Sequence, residues 1–203
     1  YGIQPTDKLL LCAGTPFKYA PAHDAVLVEI ARRCQPCKLV FFGKDSQALT
    51  GLLAQRLRAA FEAAGLDFEA CVAIVPWQAQ AGFFAFLDRA DVYLDSMGFS
   101  GFNTVMQAVE RAMPIVAFEG EYMRGRFASG ILRQMDMDEW VATTPEAFTA
   151  LVERMVTDGT ARAQAKQQLV QRRAPLFDDR ATVAALAAQL LRLGVVEGAA
   201  VLE

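Results

Sequence analysis

The chain has 203 residues, 54% hydrophobic and 21% charged, with a formal net charge of −3. That size suits one compact domain, with or without a helical appendage, and the interleaving of bases with acids argues against a nucleic-acid partner, which would meet a basic face. No run approaches the ~18 uncharged apolar residues of a transmembrane helix, and no basic stretch leads into an apolar signal core, so a cytoplasmic location is expected.

Short runs rich in β-branched and aromatic residues alternate with longer helical stretches. In chain order the pattern predicts a strand over 8–12, a helix over 22–33, a strand over 38–42 and a helix over 48–64. A strand over 71–75, a helix over 80–88, a strand over 92–94, a helix over 103–111, a strand over 114–118 and a helix over 125–135 follow. Continuous apolar strands set between helices point to a parallel sheet covered on both faces. Right-handed crossovers then make a doubly wound α/β fold. From Pro145 onward the pattern is helical, rich in Ala, Leu, Gln and Arg. Thr144 before Pro145 and Glu146 reads as a helix start, and Asp158-Gly159 as its end. A second helix is expected over 160–173. The segment APLFDD breaks the pattern, and Asp178 or Asp179 is expected to cap a last helix ending near Leu193. The chain thus reads as a single α/β domain over 1–203, with a sheet-containing core at 1–143 and a helical tail at 144–203. The first residue is Tyr1 rather than Met, so a larger protein is expected.

Cys34 and Cys37 form a CxxC. A redox CxxC opens a helix after a strand, whereas this one lies between a helix and a strand. A zinc site would need a second pair. A helix-to-strand turn around Pro36 is the favoured reading, with Cys12 and Cys71 as buried thiols. His23 is the only histidine and precedes Asp24 at a helix start. A catalytic dyad is the alternative reading there. One histidine at these spacings assembles neither a Ser-His-Asp triad nor a metal-ligand cluster.

In an open parallel sheet, ligands bind beyond the carboxyl ends of the strands. Three loops therefore matter. In the first, Ala13 to Tyr19, Gly14 permits close backbone approach and Lys18 has the reach for a phosphate, although a solvated lysine is the simpler reading. It matches neither the GxxxxGK[ST] nor the GxGxxG spacing. In the second, Asp95 to Thr104, two glycines precede Asn103 and Thr104 at the next helix start. Free N–H groups there favour an anion such as a pyrophosphate. A plain N-cap by Asn103 is the competing reading. The third loop, Glu119 to Arg126, brings acids and arginines to the same edge, either for a ligand or to pair with one another.

The order of these pieces carries a resemblance. The stretch RADVYLDSMGFSGFNTVMQAVERAMPIVAFEGEYMRGRFASGILRQMDMDEWVA resembles, in order and spacing, the GT41 family of O-GlcNAc-transferase/SPINDLY-like glycosyltransferases. CAGTPFKYAP upstream looks like that family's lysine-bearing loop, one residue shorter. RRAPLFDDRATVAAL downstream resembles its SPLFD element and final helix. The likeness covers most of residues 9–193. It implies the nucleotide-sugar-binding half of a GT-B enzyme, a Rossmann-like domain that works with an N-terminal lobe. Such an enzyme moves a sugar from a nucleotide donor, usually a UDP-sugar, to a protein side chain, with no cofactor and no metal. Position by position, the resemblance implies that Lys18, Gly101, Asn103 and Thr104 hold the donor diphosphate. Gln107 stands where the family has a ribose-binding aspartate, and Trp77 and Gln78 flank the base. No catalytic residue is assigned, because the acceptor side is expected in the other lobe. Departures are Phe83 for a histidine, Gln80 for a lysine, Gln107 for the aspartate and Asn103 for the first threonine. They leave the phosphate cradle and weaken the claim to uridine. A non-catalytic interaction module is the alternative.

Overall fold

The computed structural model describes residues 1–43 and 48–194. Its strands are β1 (Lys8–Cys12), β2 (Cys37–Gly43), β3 (Val72–Pro76), β4 (Val92–Leu94), β5 (Ile115–Phe118) and β6 (Val141–Ala142). They form one sheet in the order β3-β2-β1-β4-β5-β6. Every pairing is parallel, with registers such as Leu10↔Leu39, Leu39↔Val72, Leu10↔Val92, Tyr93↔Ile115 and Ala117↔Val141. The chain winds outward from β1 in one direction and from β4 in the other. The order therefore reverses between β1 and β4, and a crevice opens at their carboxyl ends.

The sheet forms because its strands are apolar at successive positions and not only at alternate ones. β2 reads CKLVFFG and is buried along its whole length, as a strand covered on both faces must be. Each large apolar side chain withdrawn there contributes about 1.5–3 kcal/mol. Lys38 is the exception in that strand. Its ammonium donates to the carbonyls of Glu69, at 2.6 Å, and Ala70, at 3.0 Å. Those groups lie in α3 (Phe68–Cys71), so the buried charge is spread over two carbonyl dipoles.

The flanking helices are α1 (Asp24–Arg33), α2 (Ala48–Ala63), α4 (Gln80–Arg89), α5 (Asn103–Glu110) and α6 (Phe127–Gln134). In α1 the buried face is Leu27, Val28, Ile30 and Ala31, at helical spacing. The tail holds α7 (Pro145–Thr157), α8 (Gly159–Arg172), α9 (Ala174–Phe177) and α10 (Arg180–Arg192). Its ends are capped by side chains: Thr144 accepts from the Ala147 amide at 3.2 Å, Asp158 from Thr160 and Ala161 at 2.9 and 3.0 Å, and Asp179 from Ala181 at 3.0 Å. α7 buries Phe148, Val152, Met155 and Val156, and Phe148 meets Phe118 of β5 edge-on at 6.0 Å. α10 buries nothing.

Several boundaries differ from the sequence expectation. β6 was not anticipated; two residues are too few to carry a periodic signal, and only pairing with Ala117 and Phe118 makes them a strand. Cys71 ends α3 instead of opening β3. The helix expected over 125–135 begins at Phe127, after a 3₁₀ turn at Met123–Gly125. Asp158 both ends α7 and caps α8, which includes Gly159. The APLFDD break contains the short α9, and Asp179, not Asp178, caps α10. Residues 195–203 of the expected tail lie outside the described residues.

The CxxC lies at the turn from α1 into β2. All four cysteines are free and buried, and burial pushes the Cys34 and Cys37 thiols up to about 12. Protonated thiols are poor nucleophiles, so this is a packed turn. The His23–Asp24 dyad does not form. Arg56 takes both Asp24 oxygens, at 2.7 and 3.1 Å, and ties the start of α1 to α2.

Candidate functional site

The loops after β1, β3, β4 and β5 meet at the carboxyl edge of the sheet. The loop after β1 is closed by Tyr19, whose hydroxyl accepts from the Gly14 amide at 2.9 Å. A Cβ on Gly14 would stand 2.9 Å from that same oxygen and 3.2 Å from Ser96 Oγ, so only glycine lets the two loops approach. Pro16 opens the 3₁₀ turn Pro16–Lys18, which projects Lys18 across the crevice. Its ammonium donates to the Ser100 carbonyl at 3.0 Å and sits 4.6 Å from the Phe99 ring centre. Partial burial lowers the Lys18 pKa, and the Asp95 carboxylate opposes that fall.

Asp95 follows β4 and is buried. Its carboxylate accepts from Ser100 Oγ at 2.8 Å and from the Gly101 amide at 2.9 Å. Burial nevertheless pushes its pKa up to about 7, against the pull of those hydrogen bonds and of Lys18. Ser100 Oγ in turn accepts from the Ala128 amide at 2.8 Å, in the first turn of α6. The turn ends at Gly101, and α5 begins with Asn103. Phe102, not Asn103, occupies the N-cap position, so the plain-cap reading of Asn103 does not hold. The Asn103 side chain is exposed and has no hydrogen-bond partner among the described residues. Thr104 Oγ1 lies 2.8 Å from Tyr93 OH.

A cleft of about 220 Å³ adjoins this turn. Trp77, Gln78, Thr104 and Gln107 line it together with Gln80 and Phe83. Phe42 and Ala13 close its floor, and Phe83 meets Phe42 edge-on at 5.5 Å. Trp77 lines the cleft and is 54% exposed. Gln78 is turned back, with Nε2 donating to the Pro76 carbonyl at 2.6 Å. Among the described residues no ionisable side chain lines the cleft. Aromatic faces and amide edges suit a flat, uncharged polar group, whereas the neighbouring cation and helix start suit an anion.

The residues singled out in the sequence therefore fall into two adjoining groups. Trp77, Gln78, Thr104 and Gln107 share the cleft; Lys18 and Gly101 belong to the turn beside it, and Asn103 stands at the solvent side. The charges of the third loop do not pair with one another. Glu119 pairs with Arg133 of α6, Arg126 donates to the Gly120 carbonyl at 2.8 Å, and Arg124 stacks on Tyr122 at 4.8 Å. Asp95, Ser100 and Tyr19 were passed over; a carboxylate directly after a fully apolar strand was the available signal. His23 lines a small pocket of about 10 Å³ with Asp95 and Tyr19. Among the described residues no cluster of three or more His, Cys, Asp or Glu is arranged to hold a metal, and no helix is long and apolar enough to cross a membrane.

No family model matches the sequence, and no curated protein matches it. Solved structures do match in shape. An O-GlcNAc transferase mutant from Thermobaculum terrenum superposes with a TM-score of 0.79 at 22% identity, over 93% of this chain and 36% of that one. An E. coli trehalose-6-phosphate protein bound with UDP-2-fluoro glucose gives 0.55 at 14% identity, over 81% of this chain and 40% of that one. The α,α-trehalose 6-phosphate synthase of Burkholderia multivorans gives 0.55 at 15%, over 96% and 45%. The chain spans less than half the length of each. What it shares with these GT-B neighbours is the fold: a parallel six-stranded Rossmann-like sheet with flanking helices.

Proposed function

We propose that this chain is the donor-binding half of a glycosyltransferase of the O-GlcNAc-transferase/SPINDLY-like kind. It holds a nucleotide-sugar, UDP-linked by preference, and acts in the cytoplasm with an N-terminal lobe that carries the acceptor, a protein side chain. The observation that carries the reading is the juxtaposition at the β1/β4 crevice. An uncharged aromatic and amide cleft, the right kind of seat for a nucleoside, opens beside Lys18 and the start of α5. In transfer, the acceptor side chain bonds to the anomeric carbon and gives up its proton to a base on the acceptor side, the bond from that carbon to the diphosphate oxygen breaks, and negative charge grows on the leaving diphosphate. Lys18 and the free N–H groups of α5 stabilise that charge without a metal. Among the described residues one carbonyl, that of Ser100, holds the Lys18 ammonium, so a phosphate oxygen can replace it.

A second reading is a non-catalytic module that keeps the fold for interaction. Gln78 turned onto Pro76, and Phe83 packed against Phe42, favour it, because both tie up the nucleoside side of the cleft. Calorimetric titration with UDP, GDP and their sugars separates the two. Micromolar to millimolar binding of at least one nucleoside diphosphate is expected. No binding to the chain joined to its natural N-terminal half would overturn the transferase reading.

A further inference from the structure

We propose that Asp95 is a positioning residue for the phosphate cradle: its buried carboxylate ties the turn that starts α5 to the start of α6 and supplies the counter-charge to Lys18. The inference rests on the diphosphate reading for its purpose, but its geometry stands without a ligand.

One carboxylate organises segments far apart in the chain. It accepts from Ser100 Oγ and the Gly101 amide at 2.8 and 2.9 Å. Through Ser100 it reaches the Ala128 amide, 28 residues on, at 2.8 Å. The carbonyl of the same Ser100 holds Lys18, 82 residues back, at 3.0 Å. The Ser100 amide is itself held by the Arg124 carbonyl at 2.8 Å. Three loops of the crevice thus converge on the Asp95–Ser100 pair. A carboxylate buried below an anion site is costly and repels the anion, so apolar packing would be the cheaper way to fill that space. Asp95 offsets this by keeping Lys18 cationic: partial burial pushes the Lys18 ammonium toward neutrality, and the Asp95 charge pulls it back. Among the described residues, the other titratable groups facing Asp95 are Tyr93 on its own strand, Cys12 and Tyr19 from β1 and its loop, and His23 before α1. Burial holds Cys12, Tyr19 and Tyr93 protonated and uncharged, and the Lys18 charge opposes that of Asp95 across the cradle.

The test uses the full chain in wild-type, Asp95→Asn and Ser100→Ala forms. In ligand-free protein, NMR titration of the lysine side chains should show Lys18 losing its proton at lower pH in Asp95→Asn than in wild type, and not in Ser100→Ala, which keeps the charge. Amide exchange at Gly101 and Ala128 should quicken at least tenfold in Ser100→Ala for Ala128, and in Asp95→Asn for Gly101. With UDP as probe, the alkaline loss of affinity should move to lower pH in Asp95→Asn, while uridine binding is unchanged. An effect equal at every pH, or an unmoved Lys18 titration, overturns the inference. Wild-type chain that, joined to its natural N-terminal half, binds no nucleoside diphosphate, with Lys18 still shifted in Asp95→Asn, overturns the donor reading and leaves the positioning role standing. If Asp95→Asn fails to fold, the Ala128 exchange in Ser100→Ala decides: protection unchanged from wild type refutes the tie.

Discussion

The hydroxyls of Tyr93 and Thr104 lie 2.8 Å apart, directly over the place where a side chain on Gly101 would stand. A Cβ built there falls 2.8 Å from each oxygen and 3.2 Å from Val105. Tyr93 is buried and cannot retreat, so the turn or α5 must move instead. Gly101→Ala is expected to destabilise the fold by about 1–3 kcal/mol, the usual range for overpacking. It should also weaken UDP binding by displacing Thr104. Thermal unfolding and calorimetry check both; an unchanged melting temperature would mean that the turn is slack.

Lys18 is the movable cation of the crevice. Replacing it with Met keeps an unbranched side chain of similar length and removes the ammonium that sits over Phe99. A charge-assisted hydrogen bond contributes about 1.5–3 kcal/mol, so UDP affinity should fall roughly ten- to a hundredfold. Uridine, which lacks the phosphates, should bind as before. Equal loss for both ligands, read by parallel titrations, would remove Lys18 from the phosphate-binding role.

Much of the fold was legible because five strands are buried on both sides and so read as unbroken apolar runs, such as LLLC in β1 and LVFF in β2. β6 was not legible, because Val141-Ala142 is a strand only by pairing. The site divides in the same way. Lys18 and Thr104 stand out because they follow a strand or open a helix, which local spacing can show, whereas Gln107, inside α5, was implied only by the family resemblance. Asp95 and Ser100 do not. Their importance lies in hydrogen bonds to Lys18 and Ala128 that join loops 82 and 28 residues apart, and no local period encodes those. Asn103 marks the opposite error: its place at a helix start invited a cap, but the cap position fell to Phe102.

Gln107 faces the cleft from α5 with an amide that offers one acceptor and two donors. A ribose diol is better met by an acceptor pair. Gln107→Asp should therefore tighten UDP and uridine alike, about fivefold for ~1 kcal/mol of added hydrogen bonding. Tightening of UDP alone would place residue 107 at the phosphates instead of the sugar. Weaker binding of both would mean that the nucleoside enters the cleft in another orientation.

α10 is apolar yet buries no residue; Val183 is 68% exposed and Leu186 is 60% exposed. Leu186→Lys should shift the stability of this chain by no more than about 0.5 kcal/mol, as for an ordinary surface site. Urea unfolding gives the number. A loss above 1.5 kcal/mol would mean that α10 packs onto the domain in solution.

The last expectation concerns pH. Burial raises the Asp95 carboxyl to about 7 in the folded protein, against about 3.9 in an unfolded chain. The folded state therefore keeps this proton where the unfolded state has lost it. The stability so contributed is complete below about pH 4, declines as pH rises toward 7, and is gone above it. Three units correspond to about 4 kcal/mol as an order of magnitude. Other carboxylates titrate in the same range, so the quantity to measure is the difference between wild type and Asp95→Asn. Urea unfolding at pH 5, 6, 7 and 8 should show the wild type losing stability relative to the variant across that window, with the difference levelling off above pH 7. A difference constant from pH 5 to 8 would mean that Asp95 is ionised throughout, with its hydrogen bonds and Lys18 outweighing burial.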